Sequence, residues 1–163
     1  MKEIYSNLFI GNDNSCMMCT NKSEYSIIHA CKTCHQKALN YTKSLSSEHP
    51  NYLIYEHGEH LFLNMVDMAT EFQAKYTHPM VEAAVKFIDD RISHRKVLIH
   101  CNQGLSRSPS LGLIYLVRKN IIPKDSYDTA VDAFVKSYSS YMPKTGISLY
   151  LRHNWCWLSN VKF

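Results

Sequence analysis

Short apolar runs alternate with longer amphipathic stretches along this chain. Ile4 to Ile10 reads as a first strand, closed by Gly11-Asn12. Tyr25-Ser26-Ile27-Ile28-His29-Ala30 is a brief apolar run of the kind buried in a sheet. His35 to Leu45 reads as a helix. Tyr52–Tyr55 and Leu61–Met65 are two further strand candidates, parted by a turn at His57-Gly58. Pro79 suits an early helix position, where its missing N–H does no harm. Val81, Ala84, Val85, Ile88 and Ile92 then share one buried face. Val97-Leu98-Ile99 is a β-branched run leading straight into Cys101. Pro109 to Asn120 is apolar nearly all round, the mark of a helix in the domain centre. Two more helices are expected at Ser126–Tyr138 and Ile147–Leu158, packed by Tyr138, Tyr141, Tyr150, Trp155 and Trp157. The alternation predicts an α/β domain. With no repeat or linker in view, residues 1–163 are expected to form one domain.

Composition narrows the function. A chain of 163 residues with 45% hydrophobic and 20% charged residues can bury a substantial core. Its formal charge of +4 suits an anionic substrate, yet Lys and Arg are scattered, so no nucleic acid is expected as partner. Met1 to Tyr5 carries an acid and no apolar segment, so no secretory signal is expected. No stretch approaches the roughly 20 apolar residues of a membrane helix. A cytoplasmic monomer is the expectation.

The chemistry gathers at residues 97 to 120, where a strand, a tight loop and a buried helix meet. Successive backbone N–H groups curled before a helix N-terminus form a cup for a phosphate dianion. The same field stabilises a thiolate at the cup's centre. Cys101 opens the loop and Arg107 follows six residues later, with Gly104 relieving backbone strain between them. A guanidinium fork can hold two phosphate oxygens at once.

This run, His100-Cys101-Asn102-Gln103-Gly104-Leu105-Ser106-Arg107-Ser108, resembles the signature of the protein tyrosine phosphatase superfamily at His100, Cys101, Gly104, Arg107 and Ser108. The continuation through Pro109 is similar to the dual-specificity branch, as are Tyr5–Gly11 and Leu63–Asp67; the loop and Asn154-Trp155 look most like phage and bacterial members. The resemblance implies a mostly parallel central sheet flanked by helices, and no required metal or cofactor. It implies that Cys101 attacks phosphorus to give a phosphocysteine. Arg107 and the N–H groups of Asn102, Gln103, Gly104, Leu105 and Ser106 would hold the equatorial oxygens. Ser108 would donate to the sulfur, and His100 would orient the loop. The substrate implied is a phosphorylated protein, carrying phosphotyrosine and also phosphoserine or phosphothreonine. An inositol lipid, an RNA 5′ phosphate or a non-catalytic phospho-binding role are the alternatives; the uncharged loop positions weaken the lipid reading.

A general acid is expected about 30 to 40 residues before the nucleophile in this branch. Asp67, 34 positions upstream after an apolar strand, is the choice, and Glu71 is its competitor. Asp89 and Asp90 read as a solvated helix face. Cys16-Met-Met-Cys19 and Cys31-Lys-Thr-Cys34 form a CxxC…CxxC pattern that suits structural zinc. Cys31, however, ends a strand, so plain buried or loop thiols are the expectation. If that strand runs beside Val97–His100, Cys31 could instead trap oxidised Cys101 as a disulfide. His29 and His35 could join Cys31 or Cys34 as ligands, though sheet-end histidines are commoner. His57 and His60 are expected to face solvent. Lys32 and Arg118 could add positive potential near the pocket, though an ordinary surface lysine and a helix-face arginine are the expectation.

Overall fold

The computed structural model describes residues 1–160, so the last three positions of the expected domain lie outside the described residues. Lys2–Tyr5 (β1) and Leu8–Gly11 (β2) form an antiparallel hairpin where the sequence suggests one strand. Asn7 turns the chain between them in the left-handed region, at φ 63°. Helix Asp13–Cys19 (α1) follows without an apolar pattern, since only Ser15 and Cys19 are buried. A capping box fixes its start: the Asn12 side chain accepts from the Ser15 N–H, and the Ser15 hydroxyl accepts from the Asn12 N–H.

Tyr25–His29 (β3) is buried at every position. Helix Lys32–Leu39 (α2) lies earlier than the expected 35–45, because Asn40 turns left-handed at φ 53° and ends it. Ile54–His57 (β4) and His60–Leu63 (β5) make the hairpin expected around Gly58. Ala74–Arg91 (α3) begins five residues before Pro79, so the proline stands inside the helix rather than near its start. There it removes one ladder bond. Lys96–His100 (β6), Arg107–Arg118 (α4) and Tyr127–Ser137 (α5) follow. The helix expected at 147–158 is two, Thr145–His153 (α6) and Trp155–Asn160 (α7). Asn154 separates them; its side chain donates to the Tyr150 carbonyl at 2.9 Å, in competition with the helix ladder.

The strands form one sheet in the order β1-β2-β6-β3-β5-β4. The four central strands are parallel, and antiparallel partners close both edges. The central runs are therefore apolar on both faces. On one face Ile10, Ile28, Leu61, Val97 and Ile99 pack with α3 and α4, and α4 is buried from Arg107 to Val117. On the other, Tyr25, Ile27 and Leu98 pack with Cys19 of α1. The carboxyl ends of the parallel strands thus converge between two helical layers, where ligands bind in open α/β sheets.

Candidate active site

Strand β6 delivers Cys101 to that edge, 2% exposed, at the start of a loop that runs directly into α4. Gly104 allows the curl at φ 73°, and a Cβ there would stand 2.9 Å from the Gly11 carbonyl oxygen. Left-handed backbone costs a residue with a side chain about 1–2 kcal/mol. Gly104→Ala is therefore expected to lower the melting temperature by about 2–8 °C, read by calorimetry. It should also distort the loop enough to depress turnover. Tyr138 donates to the Gly104 carbonyl at 2.8 Å, and the Met142 N–H to the Leu105 carbonyl at 2.8 Å. The loop carbonyls are thus held from outside. Among the described residues, the N–H groups of residues 102–106 donate to no other protein group.

The candidate residues meet around Cys101. Ser108 donates to the Cys101 Sγ at 3.2 Å. Arg107, 6% exposed, donates to the Met65 carbonyl at 3.0 Å and to the Asn102 Oδ1 at 2.8 Å. Its Nε lies 3.1 Å from the Asp67 carboxylate, an ionic contact rather than an aligned hydrogen bond. Asp67 also accepts from Ser106 at 3.3 Å and lies 3.7 Å from the Lys144 Nζ. Glu71 instead accepts from or pairs with His153 at 2.9 Å, outside the cleft that Asp67 lines. The loop bearing Asp67 is clamped at Gly146, whose N–H donates to the Met68 carbonyl at 3.1 Å and whose own carbonyl accepts from Phe72 at 3.2 Å. A Cβ on Gly146 would stand 2.4 Å from that Met68 oxygen.

Asp67, Asn102, Gln103 and Arg107 line a cleft of about 420 Å³, joined by Lys32 and Lys144. Lys32 is thus more than an ordinary surface lysine. Lys144 escaped the sequence reading, because it comes from the segment before α6 with no motif around it. Its N–H donates to the Ser106 hydroxyl at 3.1 Å.

His100 is fully buried, and burial pushes its pKa down to about 4, so it is a neutral imidazole behind the loop. His60 is not simply solvent-facing, since its Nδ1 lies 2.9 Å from the His29 Nε2. β3 does run beside β6, with His29 opposite His100. Cys31 is buried at the start of α2, and a hydrogen bond from Cys34 lowers its pKa. The four paired cysteines do not form one cluster. Cys19 turns toward Tyr25, Ile27 and Leu98, its thiol 3.8 Å from the Met1 sulfur.

The family model for the dual specificity phosphatase catalytic domain matches residues 8–148. The chain belongs to this family. Tyrosine-protein phosphatase yvh1 of Schizosaccharomyces pombe is 36% identical over 85 residues, which is 52% of this chain and 24% of that protein. The chain thus spans about a quarter of that relative's length. Among solved structures, the human tyrosine phosphatase-like serine/threonine/tyrosine-interacting protein superposes with a TM-score of 0.64 at 21% identity, covering 94% of this chain and 93% of the other. A leucine rich repeat and phosphatase domain containing protein from Entamoeba histolytica gives a TM-score of 0.64 at 17% identity, covering 99% and 95%. These two likenesses show a shared fold: the dual-specificity phosphatase sheet flanked by helices.

Proposed function

We propose that this domain hydrolyses phosphotyrosine, and phosphoserine or phosphothreonine, in proteins through a phosphocysteine on Cys101. The observation that carries the reading is the meeting of three groups over one loop: the Ser108 hydroxyl 3.2 Å from the Cys101 sulfur, the Arg107 guanidinium, and the Asp67 carboxylate 3.1 Å from it. Each has one task. The substrate phosphate enters beneath Arg107 and takes the guanidinium from Asp67, so that binding itself frees the acid. Arg107 and the N–H groups of residues 102–106 stabilise the charge on the equatorial oxygens as the transition state forms. The Cys101 sulfur displaces the alcohol oxygen in line while Asp67 protonates it. Water, deprotonated by the same carboxylate, then attacks the phosphocysteine, and Ser108 donates to the departing sulfur. His100 stays neutral and holds the loop.

Ser108→Ala tests the second step. A hydrogen bond to a charged acceptor contributes about 1.5–3 kcal/mol, so hydrolysis of the intermediate should slow by about 10- to 150-fold. Rapid-quench kinetics should show a burst of the released alcohol that wild-type protein lacks. Equal slowing of both steps would reassign Ser108 to folding.

Lys32 and Lys144 beside the cleft would also accept a second phosphate, which keeps a phosphoinositide as an alternative substrate. The experiment that separates the readings is a panel of phosphopeptides, phosphoinositides and 5′-phosphorylated RNA. Turnover of phosphopeptides at least tenfold above the others is expected; preference for lipid or RNA would replace the protein reading. Among the described residues no helix is long and apolar enough to cross a membrane. The whole of residues 1–163 acting as one monomeric cytoplasmic domain belongs to the same proposal.

A further inference from the structure

The sheet face opposite α3 and α4 changes character at its carboxyl edge. Tyr25, Ile27 and Leu98 are apolar, but the next positions on that face are His29 of β3 and His100 of β6, register partners on adjacent strands. Their Nδ1 and Nε2 atoms lie 2.8 Å apart. Two thiols close over them. The Cys16 sulfur of α1 is 3.7 Å from the His29 Nδ1, and the Cys34 sulfur of α2 is 3.9 Å from the His100 Nε2.

We propose that Cys16, His29, Cys34 and His100 bind one zinc-class divalent cation behind the phosphate loop. Bond lengths of about 2.3 Å to sulfur and 2.1 Å to nitrogen set tetrahedral S–N edges of about 3.6 Å and N–N edges of about 3.4 Å. The Cys16–His29 and Cys34–His100 separations, two of the four such edges, already stand near that length. The two rings must part by about 0.6 Å as the ion replaces the proton they share. The Cys34 sulfur must also draw in, since it does not stand within 4.8 Å of both Cys16 and His29. Cys16, His29 and His100 bring their donor atoms within 4.8 Å of one another, and Cys31, Cys34 and His100 do the same. His100 joins the two groups; with Cys34 a thiolate ligand, Cys31 turns from acceptor to donor in the hydrogen bond between them.

The surroundings suit ligation. Metal-bound imidazoles usually turn their other nitrogen to a carboxylate or a similar acceptor. Here the His100 Nδ1 is 3.6 Å from the Asp13 carboxylate, and the His29 Nε2 is 2.9 Å from the His60 Nδ1. The His100 Nδ1 is buried with no hydrogen bond of its own, and a slight approach of Asp13 would supply one. Binding releases the two thiol protons, while each imidazole stays neutral with its single N–H turned from the ion. Thiolate with imidazole selects zinc over magnesium or calcium. Four protein ligands leave no position for water, so the ion would be structural. It would tie α1, β3, α2 and β6 together one residue before the nucleophile. Both histidines are buried, whereas Cys16 and Cys34 are only half-buried and give the ion its way in.

This site does not depend on the phosphatase reading, and its test keeps the two apart. The full chain with Cys101→Ser, which removes the phosphate-loop thiolate, is titrated with cobalt(II) and then zinc. One equivalent of cobalt with a sulfur-to-metal charge-transfer band, displaced by zinc, is expected. Cys16→Ser and Cys34→Ser should each weaken zinc binding at least tenfold, against little change for Cys19→Ser. Should a serine variant misfold, X-ray absorption on the zinc-loaded chain counts the ligands directly, with two sulfurs and two nitrogens expected. Less than a tenth of an equivalent, binding indifferent to Cys16 and Cys34, or a different ligand count overturns the site.

Discussion

Cys101→Ser should abolish turnover, by about 10³-fold or more, while leaving the affinity for a phosphopeptide within a few-fold of wild type. The two halves of this result come from different atoms. In the proposed mechanism phosphate is held by the Arg107 guanidinium and by loop N–H groups whose curl depends on Gly104, and none of these is altered. Attack needs the anion of the nucleophile. A thiol is intrinsically far more acidic than an alcohol, and a serine hydroxyl there has no base to take its proton. Ser108, 3.2 Å from the sulfur, is a donor and does nothing to activate an alcohol. Steady-state rates on a phosphopeptide, paired with calorimetric titration of the same peptide into the variant, give both numbers. Retained turnover would remove Cys101 from the mechanism. Lost turnover together with lost binding would point to a collapsed loop instead.

The sequence carried this loop because its chemistry is local: nucleophile, glycine and arginine lie within seven consecutive residues, between a strand and a helix that are both buried. β3, β6 and α4 were legible for the same reason, since burial on all sides leaves an unbroken apolar run. The misread elements are those that geometry, not hydrophobicity, decides. Ile4, Leu8 and Ile10 look like one alternating strand because the turn between them is only Ser6-Asn7, with no glycine or proline to mark it and Asn7 taking the left-handed conformation. α1 buries only Ser15 and Cys19 and so has no periodicity to read; its capping residues were the available signal. Lys144 and the Gly146 clamp come from the far end of the chain, and nothing near them in sequence points to the cleft. The histidine and cysteine cluster is hidden for a topological reason. β3 and β6 become neighbours only through crossovers, so His29 and His100 are 71 residues apart in sequence and 2.8 Å apart in space. The CxxC spacing drew attention to the right thiols, but Cys19 takes the apolar side of α1 and leaves Cys16 to the histidines.

Asp67→Asn should lower kcat on phosphotyrosine or phosphoserine peptides by about 10²-fold or more, within the range of a lost general acid. Asn keeps the size of the side chain and can still contact Ser106, so the loop clamped at Gly146 should keep its place. What it cannot do is donate a proton to an alkoxide or accept one from water. Asn also releases Arg107, which the carboxylate approaches at 3.1 Å, so phosphate should bind as well or better and KM should not rise. A fall confined to kcat is therefore the signature of lost chemistry, and a rise in KM would mark a displaced loop. The size of the fall should follow the leaving group. An aryl phosphate with a good leaving group, such as nitrophenyl phosphate, needs little protonation and should suffer least, and an alkyl phosphate most. The limb of the pH profile that reports the acid should flatten in the same variant. Glu71→Gln is the matched control, because that carboxylate meets His153 at 2.9 Å outside the cleft, and its rates should stay near wild type. If instead Asp67→Asn turns over normally and Glu71→Gln does not, the loop must rearrange on binding to exchange the two carboxylates.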